Sequence, residues 1–244
     1  MRDISSFETE FILSDLGVVE TRIDRIKKQV MKTQDAQLKL ELPVLEKCHQ
    51  ALETEKPLRE VEFTKEEMLT LKTYQLLSIK PMLIALNLDE SQLNDAESLV
   101  KRVAEKKEGK HTKIVSFFGK IEMEMSELPE DEAKVFMGEY GIKESALDTL
   151  IREAYTLLGL LSFFTVGEDE CRAWTIRNGM TAQEAAGVIH SDFFTKFIRA
   201  EVVHYDHFII HGGSFAKAKE AGHWRLEGKE YTVKDGDIMS IRHS

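Results

Sequence analysis

Lys80–Ser91, KPMLIALNLDES, decides how the middle of the chain is read. Met82 to Leu86 is an unbroken apolar run that stops at Asn87, and Leu88, Asp89 and Glu90 follow. A short apolar run between a proline and a polar cluster is the pattern of a strand covered on both faces, as in a parallel sheet. Open α/β sheets place ligands at the carboxyl ends of such strands, so Asn87 to Glu90 would face a binding crevice. Two readings fit this tail. One is the base-reading corner of a nucleotide-binding fold; the other is a strand end where Asp89 or Ser91 caps the next helix.

The neighbouring segments continue the alternation. TKEEMLTLKTYQLLS opens with a capping box, Thr64 with Glu67 three residues on. SQLNDAESLVKRVAEKKEGK reads as a helix ending near Gly109, and HTKIVSFFG as a second apolar strand. PEDEAKVFMGEYG and ESALDTLIREAYTLLGL read as helices with acidic first turns. Strands separated by helices imply a parallel sheet with crossover helices. Two strands do not complete such a sheet, so further pairing strands are expected from outside this stretch.

The first segment reads as a helical hairpin. Leu16, Val19, Ile23, Ile26 and Val30 form one coiled-coil seam, and Leu38, Leu42, Leu45, His49 and Leu52 form the other. KTQD, Lys32 to Asp35, is the expected turn, and Pro43 is expected to kink the second arm or delay its start. The stripes either pack only on each other or offer a face to a protein partner. From about Phe163 the character changes to short strands around one helix, a small α+β domain of the β-grasp type. In it CRAWTI alternates, FIRAEVVHY is a strand, and YTVKDGDIMSIRH reads as a hairpin-like end turning at Asp235-Gly236.

The 244 residues, 42% hydrophobic and 31% charged, have an ordinary globular composition. No apolar run has the length of a membrane span and the acidic N-terminus has no signal-peptide core, so a cytoplasmic protein with no membrane partner is expected. Cys48 and Cys171 lie far apart without a CxxC partner, which reads as two reduced thiols and no metal site. The net charge of −10 argues against a broad polyanion-binding surface. The acidity is uneven, however: residues 167–244 hold 10 Lys and Arg against 12 Asp and Glu, so this part is the better candidate for meeting RNA.

FFTVGEDECRAWTIRNGMTAQEAAGVIHSDFFTKFIRAEVVHYDHF and AKEAGHWRLEGKEYTVKDGDIM resemble the C-terminal TGS domain of the Obg-like ATPases, the YchF family of P-loop GTPase-like proteins. LIREAYTLLGLLSFFT is similar to that family's lead-in helix, and LELPVLEKC and RDISSFETEFILSDL to its coiled-coil arm. The resemblance covers essentially the whole chain. It implies an α/β plus α+β organisation: a helical coiled-coil arm at 1–62, the C-terminal part of a G domain at 63–162, and a TGS domain at 163–244. It further implies a ribosome-associated ATPase using ATP and Mg²⁺.

Guanine-reading proteins of this class use NKxD, whose Asp accepts the paired N–H donors of that base; the family resembled here carries NxxE instead. In this sequence that motif falls on Asn87 to Glu90, with Leu88 beside the base. The second base-side loop, Ser-Ala or Ser-Gly in the family, is here FFGKIE, with Phe118 at the serine-like place and Gly119 retained. Phe118 would stack on a base or block the pocket.

The sequence contains no GxxxxGK[ST] and no DxxG segment, the parts that cradle phosphates and Mg²⁺. The chain therefore reads as the family without the first part of its G domain: a truncated form, a mis-assigned gene start or a true short protein. No catalytic residue is expected within it, and neither hydrolysis nor tight binding of ATP is expected from it alone. The alternative is a non-enzymatic adaptor that binds a ribosome, RNA or protein through the arm and the TGS domain.

Three further sets stand out. His204, His207 and His211 have a spacing that invites a metal reading, set against scattered strand and loop histidines. His190 and Asp192 look like an acid–base pair, or order the loop after the short helix. Lys196, Arg199, Lys217, Lys219 and Arg225 with Trp224 form either a basic, stacking RNA face or an ordinary solvated surface.

Overall fold

The computed structural model describes residues 2–33, 35–107, 109, 111–167 and 169–244. It divides into two compact units, 1–153 and 154–244, and the division falls within one helix.

The first unit starts with α1 (Arg2–Val30) and α2 (Ala36–Glu53), which pack on each other along the expected seams. Val19, Ile23 and Ile26 meet Val44, Leu45 and Leu52 in a core completed by Leu58, Leu71 and Leu76. The second seam keeps Leu38, Leu42, Leu45 and Leu52 and differs from the expected one at a single position. Cys48 is fully buried where His49 was expected, and His49 sits 3.3 Å from both Glu20 and Glu53. Burial in this apolar core pushes the Cys48 thiol up to about 12. Asp35 caps α2 by accepting from the Gln37 N–H at 2.8 Å. The helix runs from Ala36 through Pro43 to Glu53, so the proline does not delay its start. Of the expected turn, Gln34 lies outside the described residues.

Two polar clusters fasten this hairpin to the segment that follows. The Asp15 carboxylate, 2% exposed, accepts from the N–H groups of Leu77 (2.8 Å) and Ser78 (2.7 Å) and from the Ser78 hydroxyl (2.6 Å). Arg22 donates to Glu41 at 2.7 and 3.0 Å, and the Tyr74 hydroxyl donates to the same carboxylate. The guanidinium is the main reason the Glu41 carboxyl lies below its ordinary range. The capping box of α3 (Lys65–Leu71) is present in both directions, Thr64 with Glu67.

The strands expected around residues 80–87 and 112–118 are β1 (Met82–Asn87) and, after α4 (Ala96–Lys107), β2 (Thr112–Phe117). They pair in parallel from Met82↔Thr112 to Asn87↔Phe117. α5 (Gly119–Ser126), unforeseen in the sequence, starts directly after β2. α6 (Glu130–Glu139) and α7 (Ala146–Leu158) follow, and α7 holds no buried residue.

The second unit is a mixed five-stranded sheet of β3 (Leu160–Val166), β4 (Cys171–Arg177), β5 (Phe197–His204), β6 (Arg225–Glu227) and β7 (Asp237–His243), in the order β4-β3-β7-β5-β6. β3 and β7 are parallel and the other neighbours antiparallel. One core joins Phe163, Ile176, Val202 and Met239 to Ala182, Ala185 and Ala186 of α8 (Ala182–Ile189). Another joins Val203 and Ile238 to Phe208 of α10 (Tyr205–Ile210) and Ala218 of α11 (Phe215–Glu220). Between α8 and β5 lies α9 (Ser191–Thr195).

Two expectations are corrected here. The C-terminal end is no hairpin: only Asp237–His243 is a strand, and it pairs with β5 and β3. Residues 231–233 turn instead to the start of α8, where Tyr231 C=O accepts from Ala182 N–H (2.7 Å) and Val233 N–H donates to Met180 C=O (3.1 Å). Asp237, fully buried, draws that loop in by accepting from the Tyr231 hydroxyl (2.7 Å) and the Lys234 N–H (2.9 Å). Second, His204 to His211 is not strand and loop. His204 ends β5 and caps α10, His207 lies within that helix, and His211 closes it.

Candidate functional site

Strand pairing places the two expected base-side loops next to each other. Asn87 and Phe117 are register partners at the carboxyl ends of β1 and β2, and the Leu88 N–H extends the ladder by donating to Phe117 C=O at 2.9 Å. The Asn87 side chain crosses to the second loop, where its Oδ1 accepts from the Gly119 N–H at 3.0 Å. This contact explains the glycine. A Cβ at residue 119 would lie 3.0 Å from Asn87 Oδ1, so a larger residue fits only if the amide shifts by a few tenths of an ångström. With Oδ1 engaged, Nδ2 of the exposed Asn87 is left to donate.

Asp89 and Glu90 divide the roles that the sequence left open. Asp89 is the cap of the 3₁₀ turn Glu90–Asp95, accepting from the Ser91 N–H (3.0 Å) and hydroxyl (2.7 Å), while Gln92 accepts from the Asp89 N–H. Those Ser91 bonds hold its carboxyl below the ordinary range. Glu90 is turned to the second loop, with one carboxylate oxygen 2.8 Å from Lys120 Nζ. Lys120 is raised above its ordinary value chiefly by this contact, with Glu124 3.8 Å away adding to it. Phe118 stands half-buried just ahead of α5 with no side-chain capping bond. Asn87, Glu90, Phe118 and Gly119 thus converge on one sheet edge, with Leu88 half-buried beside them. Lys120 is the member that sequence reading missed; its place one residue after Gly119, opening a helix, was the available signal.

Together these residues present an amide donor, a carboxylate paired to an ammonium, and an aromatic edge. The GxxxxGK[ST] and DxxG motifs that hold phosphates and Mg²⁺ are absent from this sequence.

The expected basic residues are placed apart. Lys196 and Arg199 stand at the start of β5, whereas Lys217, Lys219 and Trp224 stand near its other end. Lys219 Nζ lies 4.4 Å from the centre of the Trp224 ring. Arg225 is committed inside the protein, to Asp237 (3.3 Å), Glu227 (3.7 Å) and the Tyr231 hydroxyl (3.0 Å). His190 caps α9, its Nδ1 accepting from the Asp192 N–H at 3.2 Å, so the pair orders that turn. Among the described residues no three His, Cys, Asp or Glu side chains are arranged to hold a metal ion, and no helix is long and apolar enough to cross a membrane.

The architecture as a whole is that of a GTPase-like mixed α/β protein. It superposes on the Schizosaccharomyces pombe YchF GTPase with a TM-score of 0.81 at 29% identity, over 99% of this chain and 65% of that one. The family model YchF-GTPase_C, described as a protein of unknown function (DUF933), matches residues 160–244. The Ribosome-binding ATPase YchF of Bacillus subtilis (strain 168) is 45% identical over 242 residues, covering 98% of this chain and 66% of the relative. That of Pasteurella multocida (strain Pm70) is 43% identical, covering 98% and 65%. The chain belongs to the YchF family, and it spans about two thirds of the length of these curated relatives.

Proposed function

We propose that this chain is a ribosome-associated, cytoplasmic member of its family that contributes the purine-reading half of an ATP site and the ribosome-contacting parts. The carrying observation is the 43–45% identity, along 98% of the chain, to proteins named ribosome-binding ATPases. In this reading 1–62 is a coiled-coil arm, 63–162 the second part of a G domain and 163–244 a TGS domain. The Asn87 amide donates to a ring nitrogen of adenine. Lys120, held at Glu90, places an ammonium where guanine would bring N–H donors and adenine brings an acceptor. Phosphate and Mg²⁺ contacts, and with them hydrolysis, require residues outside this sequence, since a few hydrogen bonds to a base contribute only about 1 kcal/mol each. Two assays test this. Ribosomes should carry the purified chain into the pellet, more so with ATP if the base site is used. The chain alone should show no ATP hydrolysis; turnover abolished by Asn87→Ala would refute the division of labour.

The second reading is a non-enzymatic adaptor that binds through the arm and the C-terminal domain, favoured by the exposed Lys217 and by the exposed Lys219 over the Trp224 ring. It predicts ribosome pelleting that is unchanged by ATP and by Asn87→Ala.

A further inference from the structure

Six of the chain's eight histidines lie between His190 and His243, and four of them gather where α10 meets α11. The His207 and His223 rings stack with centroids 3.8 Å apart and planes 12° from parallel. His211 lies 5.3 Å from His223, and His204 6.4 Å from His207. Only His204 is tied down: its Nε2 is 3.1 Å from Asp235 C=O, and its Nδ1 accepts from the Asp206 N–H. Among the described residues no hydrogen bond or ion pair engages the side chains of His207, His211 or His223. Among the described residues Lys217 on α11 has no ion-pair partner either, and Lys219 meets only the Trp224 ring.

The acids on the packed elements do not answer this charge. On α10, Asp206 faces His204 at 3.4 Å; on β5, Glu201 is paired with Arg242 at 2.9 Å; and Asp235 accepts from the Ser162 N–H at 2.7 Å. Glu220 is exposed at the end of α11. In a chain of net charge −10, five unanswered cationic or protonatable groups on one corner call for an anion from outside.

We propose that His207, His211 and His223, with Lys217 and Lys219, form a proton-sensitive surface for RNA phosphates. The proposal rests on the ribosome-binding reading above. Imidazole changes charge between pH 5 and 8. Two stacked imidazolium rings repel each other, and a phosphate laid across them relieves that repulsion. Proton uptake and phosphate binding therefore favour each other, by equal factors in both directions. The two lysines supply the part of the attraction that does not depend on pH.

The test is fluorescence anisotropy of the full chain with a 5′-fluorescein-labelled single-stranded RNA, at low salt, between about pH 8 and about pH 6. Binding is expected to tighten by roughly three- to tenfold on acidification, with a steeper salt dependence at the lower pH. The triple variant His207→Gln, His211→Gln, His223→Gln should keep the affinity found at high pH and lose the tightening. Lys217→Gln with Lys219→Gln should weaken binding at both pH values and keep the tightening; circular dichroism verifies that each variant is folded.

Absent RNA binding, wild-type binding that ignores pH, or a triple variant that tightens as the wild type does would overturn the proposal. So would a polyglutamate probe that binds with the same pH dependence and displaces the RNA, or binding abolished by EDTA. Ribosome pelleting of the same preparations separates the two claims. Pelleting without pH-tuned RNA binding sinks the histidine surface alone, and pH-tuned RNA binding without pelleting sinks the ribosome reading.

Discussion

β1 and β5 are both apolar strands, yet they end in different environments. β5 buries Phe197, Ala200, Val202 and Val203, because it lies inside a five-stranded sheet with helices packed against it. β1 buries none of its six residues: its sheet has one other strand among the described residues, and α7 leaves Leu147, Ile151 and Leu158 exposed. The lesson is that a strand's composition states what it would bury, and only its neighbours decide whether it does. In the first unit the tight core is the helical layer of α1 and α2, not the sheet.

The largest expected effect breaks or upholds that contrast directly. Phe163→Ala removes a fully buried ring from the second unit and should cost about 3–5 kcal/mol in urea unfolding, whereas Ile84→Ala in half-buried β1 should cost under about 1.5 kcal/mol. Equal costs would mean that β1 is covered in solution.

A second experiment asks where the first unit keeps its stability. Asp15→Ala strands the buried Ser78 N–H and hydroxyl and the part-buried Leu77 N–H, and should cost roughly 2–4 kcal/mol in the same assay. An effect below that of Ile84→Ala would move the weight back to the strands.

The third uses pH. Glu41 is held low by Arg22, so its stabilising contribution is complete above the ordinary carboxylate value of 4.5 and is lost as pH falls through the lower folded value. Glu41→Gln should therefore cost about 2 kcal/mol near neutrality and much less in acid, so the wild-type and variant curves converge as pH drops. Parallel curves would contradict the ion-pair account.

The smallest effect concerns the site. Gly119→Ala should displace the Asn87 amide, cost about 1 kcal/mol and speed hydrogen exchange at residue 119, with no change at β5.

Much of the framework was legible in the residues. The seams of α1 and α2, the Thr64–Glu67 capping box, and the strands ending at Asn87 and near Phe118 follow from local periodicity and capping chemistry, which act over a few residues. The failures share a cause. Cys48 takes the place expected for His49 because packing by Leu58 and Leu76 from another segment selected that face of α2. YDHFII forms a helix although it follows β5 directly, because Phe208 is drawn under the sheet against Val203 and Ile238.

The sequence by itself determined the family, the two arm helices, the two parallel strands β1 and β2, and the absence of a GxxxxGK[ST] pattern from these 244 residues, since all of these are written in short linear patterns. Only the tertiary structure decided that Asn87 bonds to Gly119, that Glu90 is held by Lys120, that Arg225 is committed to a buried aspartate, and that His223 joins His207 and His211 at one corner. Such contacts join residues far apart in the chain, and their partners are fixed by strand register and helix packing, which no local pattern encodes.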